Sequence, residues 1–288
     1  SFNDSYVYYD NKNIFNGVYK RDNFSFHLKP FTIDSLESYS TNGLWFPGTF
    51  KSSDIFPVFD DTLTIQPDYS LGFKRSTPEE GFPLYSGKSR YYNEIELGNN
   101  GLRGSGKFEY LTSVIHSENI IFFPDSTQLL SDAIAINEVN QGIEFPQTSN
   151  TKTYCNYEPY LDKLEVFQTH DMFNLYDGKA SLQGNLLLKP VGLTGNGIMK
   201  LDLAEVSSKF FSFNSTWFKA DTANLNVFDN SNNLAFSAKN LRANIDVKDR
   251  DGMFFSNGIG SYVNFPASEY ICYIDQLKWE MDKEQLTF

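Results

Sequence analysis

Residues 101–106 read GLRGSG, and residues 192–197, which lie 91 positions later, read GLTGNG. Each copy is followed by a run of aromatic and aliphatic residues of strand type, which contains a serine at the same offset (Ser117 and Ser208). Two matched copies indicate one structural unit that the chain uses twice. The repeated glycines are predicted to form structural turns, because only glycine accepts a positive φ or a close backbone approach without a Cβ clash. They are Gly101, Gly104, Gly106, Gly192, Gly195 and Gly197.

The repeat also predicts how the chain is divided. We match residues 84–87 with residues 181–184 as the heads of the two units, which leaves six more residues between head and glycine segment in the first copy. Residues 75–83, rich in Pro, Glu and Gly, are the most loop-like stretch, so any domain boundary is expected there. The prediction is an N-terminal β segment (1–80), a first repeat unit (81–178) and a second repeat unit (179–288) in a continuous stack.

Composition and periodicity favour an all-β fold. The chain has 27 Phe and 17 Tyr among many Asn, Ser, Asp and Gly, a mixture that suits half-buried strands joined by turns. Alternation of apolar and polar residues is clear over residues 241–247, and only residues 126–136 resemble a helical stripe. A unit of about 90 residues exceeds one β-helix coil of about 20–30 residues, so each unit would supply several coils of a β-solenoid. A pair of β-sandwich domains is the alternative.

Net charge and hydropathy exclude some partners. The chain carries 24 basic and 36 acidic residues, a net charge of −12, which repels nucleic-acid phosphates and anionic membrane surfaces. No apolar run approaches the roughly 18 residues of a spanning helix, so no transmembrane segment is predicted. The chain starts without Met and ends in residues of strand type, which favours a piece of a longer polypeptide.

The two cysteines, Cys155 and Cys272, lack the spacing of a zinc site. They occur in similar surroundings in the two copies, and equivalent strands would hold them apart. We expect two buried free thiols, with a disulfide left as the alternative.

Motifs for catalysis or cofactors are incomplete. Residues 101–107 fit the start of a phosphate-binding loop, but Phe108 stands where Ser or Thr should hold magnesium, and the second copy has Ile198 in place of Lys107. The pairs His170-Asp171 and His116-Ser117 lack an activated-nucleophile motif.

Acidic pairs suit glycoside hydrolysis only at a defined separation, and with 36 acidic residues a solvated acidic face is the simpler interpretation. They are Glu79-Glu80, Asp60-Asp61 and Glu280 with Asp282. The turn of residues 229–233 offers oxygen ligands for calcium without the spacing of an EF-hand loop. We predict no catalytic, cofactor-binding or metal-binding residues.

Aromatic residues are the remaining candidates for a ligand site. Exposed rings in a row would stack on sugars, whereas rings that alternate along strands usually pack in a core or in cross-strand pairs. The candidate stacking residues are Trp45, Tyr91, Tyr92, Trp217 and Trp279.

Several of these stretches together resemble segments of the very large, repeat-containing cell-envelope proteins of Bacteroidetes. The resemblance rests on residues 29–36, 43–50, 68–73, 123–126 and 265–279 and on the two glycine segments. It implies an extracytoplasmic location (periplasm, outer-membrane surface or secreted) and a long β-rich scaffold, and it implies no activity. Bacteria of that group O-glycosylate short Asp-Ser/Thr-apolar sites, a pattern that residues 34–36, 61–63 and 221–223 fit.

The expected function is therefore a non-enzymatic scaffold or adhesive segment of a surface protein, with carbohydrate or other envelope proteins as partners. A polysaccharide-binding or polysaccharide-active β-helix is the second hypothesis, and it requires an open groove with clustered carboxylates and a basic residue. A periplasmic lipid conduit of stacked strands is the third, and it requires a continuous apolar trough.

Overall fold

The computed structural model describes residues 4–32, 43–137, 143–283 and 285–288. Strands account for 62% of the structure, and the described residues contain no α-helix, so the predicted all-β class is confirmed. Short 3₁₀ helices cover Phe15–Gly17, Pro266–Ser268 and Met281–Lys283. Residues 126–136, whose sequence resembles a helical stripe, are not helical, since residues 127–136 form a strand.

The chain divides into two compact units. The first comprises Ser1–Asp132 and Asn156–Asp162, and the second comprises Ala133–Cys155 and Lys163–Phe288. Residues 75–83, where a boundary was predicted, lie inside the first unit instead. The reason is that the strands on either side of this loop, β5 and β6 as defined below, both pair with the same strand, β7.

The first unit is built from nine strands and parts of two more. They are β1 (Ser5–Tyr8), β2 (Phe24–Leu28), β3 (Phe46–Ser52), β4 (Phe59–Ile65), β5 (Leu71–Ser76), β6 (Phe82–Leu84), β7 (Ser89–Gly98), β8 (Gly101–Tyr110) and β9 (Ser113–Phe122). Two strands contribute residues to both units, namely β10 (Thr127–Ile136) and β11 (Thr148–Glu158).

The second unit continues with twelve further strands. They are β12 (Lys163–Phe167), β13 (Phe173–Leu175), β14 (Ala180–Lys189), β15 (Gly192–Leu201), β16 (Ala204–Phe213), β17 (Trp217–Phe228), β18 (Leu234–Asp246), β19 (Asp251–Ser256), β20 (Tyr262–Phe265), β21 (Tyr270–Cys272), β22 (Gln276–Glu280) and β23 (Gln285–Thr287).

Antiparallel pairing runs through each unit. In the first unit β1 to β5 pair in succession, and β5 then pairs with β7, which is followed by β8 and β9. In the second unit β14 to β19 pair in succession, and β22 and β23 follow β19. The predicted β-solenoid is not confirmed, because these ladders are antiparallel hairpins rather than the parallel coils of a β-helix.

The internal repeat is confirmed strand by strand. β6, β7, β8 and β9 begin and end 91 positions before β13, β14, β15 and β16. Burial repeats as well, since Leu102 and Phe108 are buried in β8 and their counterparts Leu193 and Met199 are buried in β15. The same residue spacing therefore forms the same amphipathic strands twice. Each strand has an apolar face turned inward and a more polar face turned outward.

The repeated glycines lie inside strands, so their assignment as turns is wrong. Only the first glycine of each segment begins its strand, while Gly104, Gly106, Gly195 and Gly197 occupy β8 and β15. In each copy the register shifts between the second and third glycines, which marks a β-bulge.

Close backbone approach explains the glycines at these bulges. A Cβ on Gly106 would lie 2.1 Å from the carbonyl oxygen of Tyr92, and a Cβ on Gly197 would lie 2.1 Å from that of Gln183. The bulge serines repeat too. Ser117 Oγ donates to the carbonyl of Leu130 (2.7 Å), and Ser208 Oγ donates to that of Thr222 (2.8 Å).

The predicted match of the unit heads is wrong. Residues 84–87 correspond to residues 175–178 rather than to 181–184, because β6 and β13 are 91 positions apart like the other strands. The sequence LYSGK (84–88) is therefore the counterpart of LYDGK (175–179). Both turns use the same left-handed backbone, with φ of 47° at Tyr85 and 56° at Tyr176.

The apolar faces of both units are covered. In the first unit Phe56 packs on Phe122 with ring centroids 4.9 Å apart, and in the second Phe211 packs on Phe218 at 5.7 Å. Phe122, Phe211 and Phe218 have no exposed surface. Burial of such rings is a main source of stability for strands that carry one apolar face.

Candidate functional site

The five predicted stacking residues do not form a row of exposed rings. Tyr91 and Trp279 are 0% and 5% exposed, so both belong to the core and their prediction as stacking platforms is wrong. Tyr92 and Trp217 are half-buried, and each has a lysine Nζ over its ring, at 3.8 Å (Lys107) and 4.2 Å (Lys219). Of the set, Trp45 is the ring with a large exposed fraction, 63%.

The other residues considered for chemistry have ordinary structural roles. Lys107, from the incomplete phosphate-binding motif, lies within a strand and pairs with Glu109 at 2.7 Å. His170 is exposed, and the neighbouring Asp171 carboxylate accepts a hydrogen bond from Thr151 Oγ1 at 2.9 Å. Asp60 is held by Lys29 at 2.5 Å. These contacts do not assemble a nucleophile with a base, which acyl transfer requires.

In the turn of residues 229–233, which was considered for calcium, the Asp229 carboxylate is hydrogen-bonded within the turn itself. The Asp229 carboxylate accepts hydrogen bonds from the backbone amides of Ser231 and Asn233, both at 2.8 Å, and from Asn233 Nδ2 at 3.1 Å. These bonds, those from Asn233 first, lower the pKa of Asp229. The described residues contain no group of three His, Cys, Asp or Glu side chains arranged to hold a metal ion.

Among the glycosylation patterns, residues 34–36 lie outside the described residues. Thr62 lies within β4 and Thr222 within β17, so both threonines belong to paired strands.

The two cysteines are free thiols, as predicted. Cys155 is buried, and burial raises its pKa to about 12. Cys272 is half-buried, so the expectation that both thiols are buried is wrong for this residue. It lies on β21, and the other two residues of this strand, Tyr270 and Ile271, are exposed.

A cleft in the second unit carries the richest set of chemical groups, and we call it the Arg250 cleft. It has a volume of about 630 Å³, within the usual range of small-molecule sites. Its apolar wall is formed by residues from five separate elements, namely a turn, three strands and a 3₁₀ helix: Leu203, Phe228, Trp279, Met281 and Leu286.

The polar wall of the Arg250 cleft is centred on one guanidinium. Arg250 Nη2 lies 2.5 Å from Asp202 Oδ2, and Arg250 Nε donates to Asp282 Oδ1. Hydrogen bonds to Asp282 and then Asp202 raise the pKa of Arg250. Asp229 also lines the cleft, so three aspartates and one arginine lie along it and its net charge is negative.

Bending of the sheet brings these residues together. Asp202 lies in the turn between β15 and β16, next to Val227 at the end of β17, whereas Arg250 lies in the turn after β18, next to Trp217 at the start of β17. The ladder alone would keep these turns about ten residues apart, roughly 30 Å. Their direct ion pair therefore requires the sheet to curl, and the register shifts between β17 and β18 supply bends of that kind.

Local backbone geometry fixes the two turns. Asp202 and Arg250 have positive φ values of 41° and 55°, the left-handed backbone that tight turns often contain. The Arg250 carbonyl accepts a hydrogen bond from the Met281 amide at 3.1 Å, so the segment with Asp282 is attached to the same turn. From the sequence, Asp229, Trp279 and Asp282 were considered separately for different chemistries, and none of them was predicted to share a cleft with Arg250.

Comparison with known proteins identifies no relative. No family model, no curated protein and no solved structure matches the chain. In the described ranges, none of the helices has the length and apolar character needed to span a membrane.

Proposed function

We propose that this chain is a non-enzymatic, β-rich scaffold or adhesive segment of a surface protein in the bacterial cell envelope. The observation that carries the proposal is the 91-residue repeat of strands β6 to β9 in β13 to β16, with its bulges and anchoring tyrosines in place. A chain that repeats a set of hairpins, each set burying its own apolar face, extends a surface without needing an active site. An extracytoplasmic location, with carbohydrate or other envelope proteins as partners, belongs to the same proposal.

We also propose a finer description of the fold. Each unit is a bent antiparallel meander whose inner faces pack against one another, which is closer to the β-sandwich alternative than to a solenoid. The bend at the Arg250 cleft and the packing of Phe56 on Phe122 support this description.

A panel of hydrolase and lyase assays tests the non-enzyme proposal. The protein is incubated with neutral, amino-substituted and uronate polysaccharides, and new reducing ends or unsaturated products are measured. We expect no turnover. Robust turnover by the native chain that disappears in Asp202→Asn or Asp282→Asn, and persists in the exposed control Asp221→Asn, would refute the proposal.

Location is tested separately in the cells that make the protein. Fractionation combined with external protease should find the chain outside the cytoplasm. Recovery with cytoplasmic markers would contradict the assignment to the envelope.

The polysaccharide hypothesis has one specific observation in its favour. An open groove with clustered carboxylates and a basic residue was its requirement, and the Arg250 cleft contains Asp202, Asp282 and Arg250. Both carboxylates are hydrogen-bonded to the guanidinium, an arrangement that suits binding better than proton transfer.

The lipid-conduit hypothesis requires a continuous open apolar trough. Within each unit the inward faces of the repeated strands are instead covered, with Leu102 and Phe108 in the first copy and Leu193 and Met199 in the second almost fully buried. Co-purification of lipid with the native chain remains the direct measurement for this hypothesis.

A further inference from the structure

We propose that the Arg250 cleft is a binding site for a neutral or amino-substituted glycan. The site lies wholly within the second unit, and its charged residues lie in turns and a short 3₁₀ helix between strands, the kind of segment where ligand-binding residues are commonly placed. The inference rests on the carbohydrate partner of the proposed function, for which it names the site and the ligand class.

The two walls of the cleft match the two kinds of surface on a sugar ring. A pyranose presents apolar C–H groups on its faces and hydroxyl groups at its edge. Leu203, which is 36% exposed, and the half-buried Phe228 offer apolar contact on one side. Asp202 and Asp282 offer acceptors on the other, and hydrogen bonds to charged groups are stronger than neutral ones.

Arg250 prepares the acceptors for binding. Its guanidinium is bonded to one oxygen of Asp202 and one of Asp282, and it fixes the direction of both carboxylates while leaving their remaining lone pairs available. The Asp202 and Asp282 side chains remain 50% and 71% exposed, so hydroxyl groups can reach them. Fixed acceptors lose less conformational freedom when a ligand binds.

The charge of the cleft selects among glycans. Asp202, Asp229 and Asp282 outnumber Arg250, and the whole chain has a net charge of −12. Uronate, sulfated and phosphorylated sugars are repelled by this field, whereas hydroxyl groups and ammonium groups are not. The ligand class is therefore neutral or amino-substituted.

Calorimetric titration of the intact chain tests this assignment. The probes are oligosaccharides of glucose, galactose and mannose, a glucosamine oligomer, and a galacturonate oligomer of equal length. At least one neutral or amino-substituted probe should saturate with a Kd of about 1 mM or tighter, and the uronate should bind more weakly.

Two variants locate the binding within the cleft. Asp282→Ala removes exposed acceptors, Leu203→Ser removes apolar contact without changing charge, and each should weaken binding by about tenfold. Asp221→Ala, at an exposed carboxylate outside the cleft on the same unit, is the control matched to Asp282→Ala and should bind as the native chain does. Circular dichroism and the melting temperature check that each variant is folded.

Three results would overturn the assignment. The first is a lack of saturation by every neutral and amino-substituted probe. The second is preferred binding of the uronate. The third is glycan binding that both cleft variants leave unchanged, because the ligand would then occupy another surface.

Discussion

Tyr85 and Tyr176, the equivalent tyrosines at the heads of the two repeats, should stabilise their units by different amounts. Tyr85 OH lies 2.8 Å from the carbonyl oxygens of Phe123 and Ser126 and from Thr127 Oγ1. Tyr176 OH donates to the Trp217 carbonyl, also at 2.8 Å. The perturbation is Tyr→Phe, which removes only the hydroxyl from each of these buried rings.

The expected magnitudes follow from what each change leaves behind. Tyr85→Phe deprives the buried Thr127 hydroxyl of its tyrosine partner, and an orphaned buried polar group costs about 1–3 kcal/mol. Tyr176→Phe leaves the Trp217 carbonyl bonded to the Asn214 amide at 2.9 Å, so only a net hydrogen bond of about 0.5–1.5 kcal/mol is lost. We expect Tyr85→Phe to cost more.

The assay must report on each unit separately, because two compact units need not unfold together. Hydrogen exchange at the Phe123 and Asn214 amides, which close the two anchored hairpins, gives local free energies. Urea unfolding followed by near-ultraviolet circular dichroism gives the overall loss. Tyr85→Phe combined with Thr127→Val should recover part of the cost, because no orphaned hydroxyl remains.

Equal losses in Tyr176→Phe and Tyr85→Phe would contradict the expected difference, because orphaning the Thr127 hydroxyl would then cost nothing extra. A double variant that simply adds the two single losses would contradict it as well. Unchanged exchange at the Phe123 amide in Tyr85→Phe would show that the tyrosine does not anchor its hairpin.

The remaining predictions use the same structure. Gly106→Ala should cost roughly 3 kcal/mol or more by denaturant titration, because it combines a φ of 153° with a Cβ clash, whereas Ser105→Ala should be nearly neutral. Burial raises the pKa of Tyr19 to about 12, so the stability that Tyr19 contributes below pH 10 should be lost at about 1.4 kcal/mol per pH unit between pH 10 and 12. Other buried tyrosines such as Tyr85 and Tyr157 also have raised pKa values and add to the total slope, so Tyr19→Phe should reduce the slope by about that one share. An aromatic disulfide reagent should modify Cys272 but not buried Cys155 before unfolding, and Cys272→Ser should abolish the native-state reaction.

The repeat could be predicted because the spacing of the strands along the chain can be read directly from the sequence. The glycine segments and bulge serines such as Ser117 and Ser208 stand 91 positions apart, and the strands follow that spacing. The role of the glycines could not be read in the same way. A Gly-x-Gly pair suits a turn or a bulge equally well, and only the pairing with β9, whose register shifts between Gly104 and Gly106, shows which one forms.

The Arg250 cleft was beyond prediction for a different physical reason. Arg250 is 48 positions from Asp202 and 32 from Asp282, and all three lie in turns or at strand ends that carry no periodic pattern. Their meeting depends on how far the sheet curls, which is set by bulges in the pairing of β17 with β18. Period-two patterns predict which residues face inward, but they do not fix the curvature of a sheet.

The two copies carry different side chains at equivalent turns. Leu111 is the counterpart of Asp202, 91 positions earlier, and both turns have the same left-handed backbone, with φ of 50° and 41°. The first copy therefore presents an exposed leucine where the second presents the carboxylate that binds Arg250. A shared strand framework with different chemistry at equivalent turns is how a repeated scaffold acquires a local site. Asp202 of the cleft therefore lies in a turn that both copies share, whereas Arg250 and Asp282 lie beyond the repeated strands β13 to β16, in the part of the second unit without a counterpart.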